Sequence, residues 1–202
     1  MLANPKTRRA VVETALLVGL AVLIAVVLRA FVAQAFRIPS ASMEPQLLVG
    51  DRVVVSRLAY DVHEPNRGDI VVFDCPPAAG CDDRHDDAIP MRALKTLAEA
   101  LLLRQPEIEE FIKRVIGLPG ETVEAHDGHV FIDGVRLAEP YLPAGTVTSD
   151  FGPVTVEADH LWVMGDNRGN SADSRVFGQI EQRTIVGRAI ARVWPPTRIA
   201  FL

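Results

Sequence analysis

The chain has 202 residues, 49% of them apolar and 23% charged, enough for one ordinary domain with a buried core, which excludes intrinsic disorder as a description of the whole. A formal net charge of −5, from 21 basic and 26 acidic side chains, excludes a nucleic-acid binder held by a broad basic surface. Two cysteines are too few for a disulfide scaffold or an all-cysteine zinc site.

The first element is apolar. Between Ala10 and Phe36, 22 of 27 residues are apolar, the exceptions being Glu13, Thr14, Gly19, Arg29 and Gln34. A helix rises about 1.5 Å per residue and about 20 such residues cross a bilayer, so a transmembrane anchor is expected over residues 11–35, after a short N-terminus at 1–10. A buried core helix would carry a polar stripe, and here the apolar residues run all the way round. Lys6, Arg8 and Arg9 precede the run. The positive-inside bias keeps them in the cytoplasm and puts residues 36–202 on the extracytoplasmic face of a single-pass protein of the plasma membrane. A cleavable signal peptide is the competing reading, because Ala33-Gln34-Ala35 imitates a small-x-small site; the length of the run and Arg29 favour an uncleaved anchor. The same tripeptide raises the prospect of self-cleavage near Ala35. Positions 1–36 hold four basic residues and one acidic one, so the exported part has 17 against 25 and a net charge of −8.

The exported part alternates short β-type runs with turn signals. Strands are expected at 52–56, 69–73, 112–117, 122–125, 129–132, 160–164 and 184–193, with turns at Val49-Gly50-Asp51, Asn66-Arg67-Gly68-Asp69, Leu118-Pro119-Gly120, Asp127-Gly128 and Asp133-Gly134. This predicts a mostly β, antiparallel domain. One interruption is helical: residues 93–103 place Leu94, Leu97, Ala98, Leu101 and Leu102 at helical spacing, and Pro106 ends the run before an acidic turn at 107–110. Cys75 and Cys81 flank a short loop, where a disulfide is the natural reading outside the cytosol; free thiols, or a zinc site with His85 that lacks a clear fourth ligand, are the alternatives.

Three stretches carry chemistry. Ser42 lies between Pro39 and Pro45, which restrict the backbone around it in a stiff segment able to present a hydroxyl. A serine needs a base to become a nucleophile. No histidine stands in a triad-like setting, but Lys113 lies in Phe111-Ile112-Lys113-Arg114-Val115-Ile116-Gly117. Strand alternation puts Lys113 with Phe111 and Val115, and Arg114 with Ile112 and Ile116, so at least one of these cations is drawn into a dry setting. Burial lowers a lysine pKa by units, which makes the neutral amine available as a general base. The third stretch, Met164 to Gly178, is dense in Asp, Asn, Ser and Gly and predicts a structured loop. It lacks the glycine and glutamate order of a calcium-binding EF-hand loop.

PSASMEP, KRVIGLPGE and GDNRGNSADSR, in this order behind an N-terminal apolar segment, closely resemble the boxes of the type I signal peptidases. Val49 to Val53 and Arg67 to Phe73 resemble the strands between them. The resemblance implies a signal-peptidase-like antiparallel β fold behind an N-terminal transmembrane helix, with residues 36–202 as the catalytic domain and an unmatched insertion at about 75–110 that holds the short helix. It implies a membrane-anchored serine endopeptidase that removes signal peptides from exported preproteins after small-x-small sites, needing no metal or other cofactor. Ser42 would be the nucleophile and Lys113 the neutral base. Ser40 and the Ser42 backbone N–H would form the oxyanion hole, Ser171 would orient the lysine, and Arg114, Asp166, Asp173 and Arg175 would form an ionic framework. The implied partners are signal-peptide-bearing preproteins, lying extended against a strand edge, and the lipid bilayer. Gln46 and Gly169 depart from the resemblance, where a threonine and an aspartate are usual.

Overall fold

A computed structural model of the chain describes residues 13–22, 33–80 and 110–202. The chain divides into two compact units, one of residues 1–33 and 86–106 and the other of residues 34–85 and 107–202. Of the first, residues 13–22 form a helix, α1, whose Leu16, Leu17, Val18, Leu20 and Val22 are all exposed. Among the described residues no helix is long and apolar enough to cross a membrane. Positions 11–12 and 23–32 of the expected anchor, Cys81, the helix expected at 93–103 and most of the insertion lie outside the described residues.

The second unit is mostly antiparallel β with few helices. Its strands are β1 (Ala33–Arg37), β2 (Arg52–Ser56), β3 (Ile70–Asp74), β4 (Glu110–Gly117), β5 (Thr122–His126), β6 (His129–Ile132), β7 (Val135–Arg136), β8 (Phe151–Thr155), β9 (His160–Met164), β10 (Ile180–Glu181), β11 (Ile185–Trp194) and β12 (Ala200–Phe201). Two short helices join them, α2 (Ala59–Val62) and α3 (Ser174–Phe177). The larger sheet runs β1-β2-β11-β3-β4-β9-β10, with β12 on β11; the smaller runs β7-β6-β5-β8.

Each of the seven expected strands is present, with ends shifted by at most two residues. Asp127 and Gly128, both at positive φ, close the β5–β6 hairpin in the conformation a two-residue turn demands of its central pair. Residues 33–35, placed at the end of the expected anchor, lie in β1, where Phe36 packs on the buried cluster around Ile38, Met43 and Leu47.

β3 and β4 lie inside the larger sheet and are covered on both faces. Ile70, Val72 and Ile112 belong to one buried cluster, while Val71, Phe73 and Val115 belong to another with Leu161, Val163 and Phe177. The second half of β4 also leads into the cluster of the smaller sheet through Ile116, Val123 and Trp162. From Ile112 onward, whatever β4 carries besides apolar groups is therefore buried with them.

Candidate active site

Ser42 sits in a 3₁₀ turn, Ala41–Met43, in the connection from β1 to β2. Met43 and Leu47 are fully buried and pin the connection to the core. The loop after β9 holds it from the other side: the Asn167 backbone N–H donates to the Ser42 carbonyl at 3.0 Å, and Asn167 Nδ2 donates to the Ala41 carbonyl at 3.1 Å. Farther along, Leu48 N–H and the Arg198 guanidinium both donate to Asp51. The hydroxyl is thus carried on a segment with little freedom to move.

Lys113 reaches that hydroxyl from the middle of β4, opposite Val71. Its Nζ donates to Ser42 Oγ at 2.8 Å and to the Ile112 carbonyl at 2.9 Å, and the Phe111 ring lies 5.3 Å away. The residue is 4% exposed. Burial pulls its pKa down from 10.5 to about 8, while the Asp173 charge works in the opposite direction. At pH 7 about one molecule in ten then has a neutral amine, against roughly one in two thousand for an unperturbed lysine. In the neutral form the same contact lets the Ser42 O–H donate to Nζ.

The neighbouring Arg114 is equally buried but fully paired. It donates to Asp166 through Nε at 2.8 Å and Nη2 at 2.6 Å, and to the Gly68 carbonyl through Nη1, and its guanidinium lies 4.0 Å from the Tyr141 ring centre. Asp173 caps α3 and accepts from Gly165 N–H at 3.0 Å and from Arg175 at 2.7 and 2.8 Å. Burial alone would raise the Asp173 pKa, but the hydrogen bonds from Arg175 and Gly165 and the Arg175 charge hold it below the usual range. The expected framework residues therefore gather into two ion pairs beneath the loop.

Two other expected residues stand close to Ser42 with looser contacts. Ser40 Oγ is 3.3 Å from Ser42 Oγ and exposed to solvent. Ser171 Oγ is buried with no hydrogen bond of normal geometry, to Lys113 or to anything else, though it is near enough to the Asp173 carboxylate to help keep it ionised. Gly165 explains how the loop comes so near: a Cβ there would lie 2.2 Å from Ser171 Oγ and 2.4 Å from the Ser42 carbonyl. Only glycine fits between them.

Several residues of the site escape the sequence patterns. Arg168 is 3% exposed, donates to Thr148 Oγ1 at 2.8 Å and to the Gly165 carbonyl at 3.1 Å, and forms an ion pair with Glu139. Tyr141 donates to the same glutamate. Arg168 belongs to the third stretch, but its partners come from the turn-rich segment 137–148, which has no hydrophobic period to mark it. Among the described residues no group of three or more His, Cys, Asp or Glu side chains could hold a metal ion.

β4 also offers a half-open edge. Val115 exchanges hydrogen bonds with Asp69 and Gly68 on the β3 side, so by alternation the backbone groups of Ile112 point the other way. On that side pairing with β9 begins only at Arg114↔Met164. Among the described residues the Ile112 N–H therefore faces no strand, and the open edge ends where Lys113 meets Ser42.

A family profile and curated relatives agree on one kind of molecule. A family profile described as signal peptidase, peptidase S26, matches residues 11–194. The signal peptidase I of Leptolyngbya laminosa is 40% identical over 201 residues, covering 99% of this chain and 88% of that protein. The signal peptidase I of Mycobacterium tuberculosis is 35% identical over 224 residues, covering 96% and 76%. A crystal structure of a signal peptidase I from Enterococcus faecalis is 30% identical, covering 62% of this chain and 96% of that one, with a TM-score of 0.42.

Proposed function

The chain belongs to the signal peptidase, peptidase S26, family, and on that premise we propose that it is a membrane-anchored Ser-Lys endopeptidase that removes signal peptides from exported preproteins after small-x-small sites. The observation that carries the mechanism is the 2.8 Å contact between Ser42 Oγ and a buried Lys113 Nζ whose pKa is pulled down to about 8.

Neutral Lys113 takes the Ser42 proton as Oγ attacks the carbonyl carbon of the residue at −1. The oxyanion that forms is stabilised by the Ser42 backbone N–H and the Ser40 hydroxyl, donors that need little movement during reaction. The Lys113 ammonium then returns its proton to the departing amine, which leaves an ester on Ser42. Water, deprotonated by the same lysine, hydrolyses that ester. Ser171 orients the amine, and the Arg114–Asp166 and Arg175–Asp173 pairs hold the loop that carries Ser171. The residues before the cut add as a strand along the open edge of β4, with the Ile112 N–H as a donor.

The apolar run that precedes β1 forms the anchor and holds the β unit on the extracytoplasmic face. The support is the apolar run of the sequence and the five large apolar side chains of α1, which are all exposed and suited to lipid. Cys75, at the start of the insertion, is disulfide-bonded, in keeping with an oxidising compartment.

The test is cleavage of a presecretory substrate by the detergent-solubilised full chain. Ser42→Ala and Lys113→Ala each abolish cleavage while circular dichroism and thermal unfolding still report a folded protein. Full activity in either folded variant would overturn the mechanism.

A further inference from the structure

The open edge of β4 serves one flank of a peptide cut at Ser42, and it stops at Lys113. The other flank must continue past Ser42. Next to the Ser42 segment lies a cleft of about 360 Å³, lined by Glu44 and Pro45 from the segment after Ser42, by Thr146 and Val147, and by loop residues 166–169. Its charges are unequal in their partners. Asp166 is spent on Arg114, and Arg168 on Glu139. Arg198, which donates to the Pro45 carbonyl nearby, is spent on Asp51. Glu44 is half-buried, and among the described residues its carboxylate has no ion pair or hydrogen bond. The cleft thus presents one net negative charge, two residues from the nucleophile.

We propose that this cleft receives the first residues of the mature chain after the cut, and that Glu44 sets a preference there for basic over acidic side chains at positions +1 and +2. The inference rests on the Ser-Lys reading, which fixes where the scissile bond lies. The cleft touches Asn167, whose backbone clamps the Ser42 carbonyl, and Glu44, two residues on from Ser42, so it adjoins the nucleophile on the side of the chain that follows it. A half-exposed carboxylate that meets a flexible cation is worth little, so the preference is modest, about three-fold in kcat/KM for lysine over glutamate at +2. It is also screened by salt.

The experiment uses the full chain in detergent and peptides that differ only at +2, carrying Lys, Ala or Glu. The wild type cuts the Lys peptide about three-fold better than the Glu peptide, Glu44→Gln brings the ratio close to one, and Glu44→Lys inverts it. Each ratio is read within one enzyme, with its own rate on the Ala peptide as the reference. A second peptide set varied at −2 shows no response to Glu44. A Lys-to-Glu ratio that is unchanged in Glu44→Lys would overturn the proposal, and so would a Glu44 effect that appears at −2 and not at +2. Failure of the underlying reading looks different: Ser42→Ala would then cut the Ala peptide at the wild-type rate.

Discussion

Lys113 and Arg114 are adjacent, carry the same charge and lie on the same buried strand, yet their surroundings treat the charge in opposite ways. Arg114 meets Asp166 with two hydrogen bonds and stays paired in the dry interior. Lys113 meets a hydroxyl, a carbonyl and an aromatic ring, with Asp173 acting only at a distance. Burial without a hydrogen-bonded carboxylate disfavours the charged amine, whereas burial with one keeps a cation in place. The difference lies in the partners: the loop after β9 brings Asp166 to Arg114, while Lys113 is left with the Ser42 hydroxyl and groups of β4 itself.

The comparison can be broken from either side. The largest effect is expected at Lys113→Met, which keeps the apolar stem and removes the amine. Cleavage falls by at least about 1,000-fold, as expected when a catalytic base is lost. Stability nevertheless rises at neutral pH. A lysine with a pKa of about 8 when folded and 10.5 when unfolded opposes folding fully below pH 8, and that penalty fades between pH 8 and 10.5. Removing it contributes of order 3 kcal/mol at pH 7, read from urea unfolding. A Lys113→Met protein less stable than wild type at pH 7 would mean that the amine is not held in an unfavourable state.

Arg114→Met should act the other way, leaving Asp166 as a buried unpaired carboxylate at a cost of about 3 to 5 kcal/mol. Replacing both partners, Arg114→Met with Asp166→Leu, recovers most of that loss in the same unfolding measurement. Equal destabilisation in the single and double variants would show that the pair is not what matters there. Between these two sits the pH profile. With Lys113 as the base, kcat/KM rises with pH and levels off above about pH 8, and each unit below that lowers it close to ten-fold. A profile flat down to pH 5 would exclude a neutral lysine.

Much of this contrast is legible in the sequence, and the rest is not, for physical reasons. The strands of the core follow from alternation and turn residues, and the positions of Ser42 and Lys113 follow from the stretches that carry them. Alternation shows that a cation on β4 must be buried, but it cannot choose between 113 and 114, because the choice depends on Asp166, some fifty residues away. β8 escapes the sequence patterns because Gly152 and Pro153 interrupt any alternation, and the strand tolerates them only because it lies at the edge of the smaller sheet. β7, β10 and β12 have two residues each, too few for any period. The partners of Arg168 come from a segment with no pattern at all, so a buried arginine in the loop announces that an acid exists without saying where.

The smallest effect is the most discriminating. Ser171 Oγ is buried and lacks a hydrogen bond of normal geometry, and it is the least of the groups that keep Asp173 ionised, so its removal costs the fold little. If the hydroxyl orients the Lys113 amine during the reaction, Ser171→Ala lowers kcat by about ten-fold, leaves KM and the unfolding midpoint in place, and yields to partial rescue by Ser171→Thr. A purely structural serine gives the opposite pattern, with the midpoint moving and kcat holding. Because Gly165 leaves no space for even a Cβ between Ser171 and Ser42, the loop packs directly on the segment that carries Ser42, and the split between kcat and stability reads whether it serves Lys113 as well as Arg114.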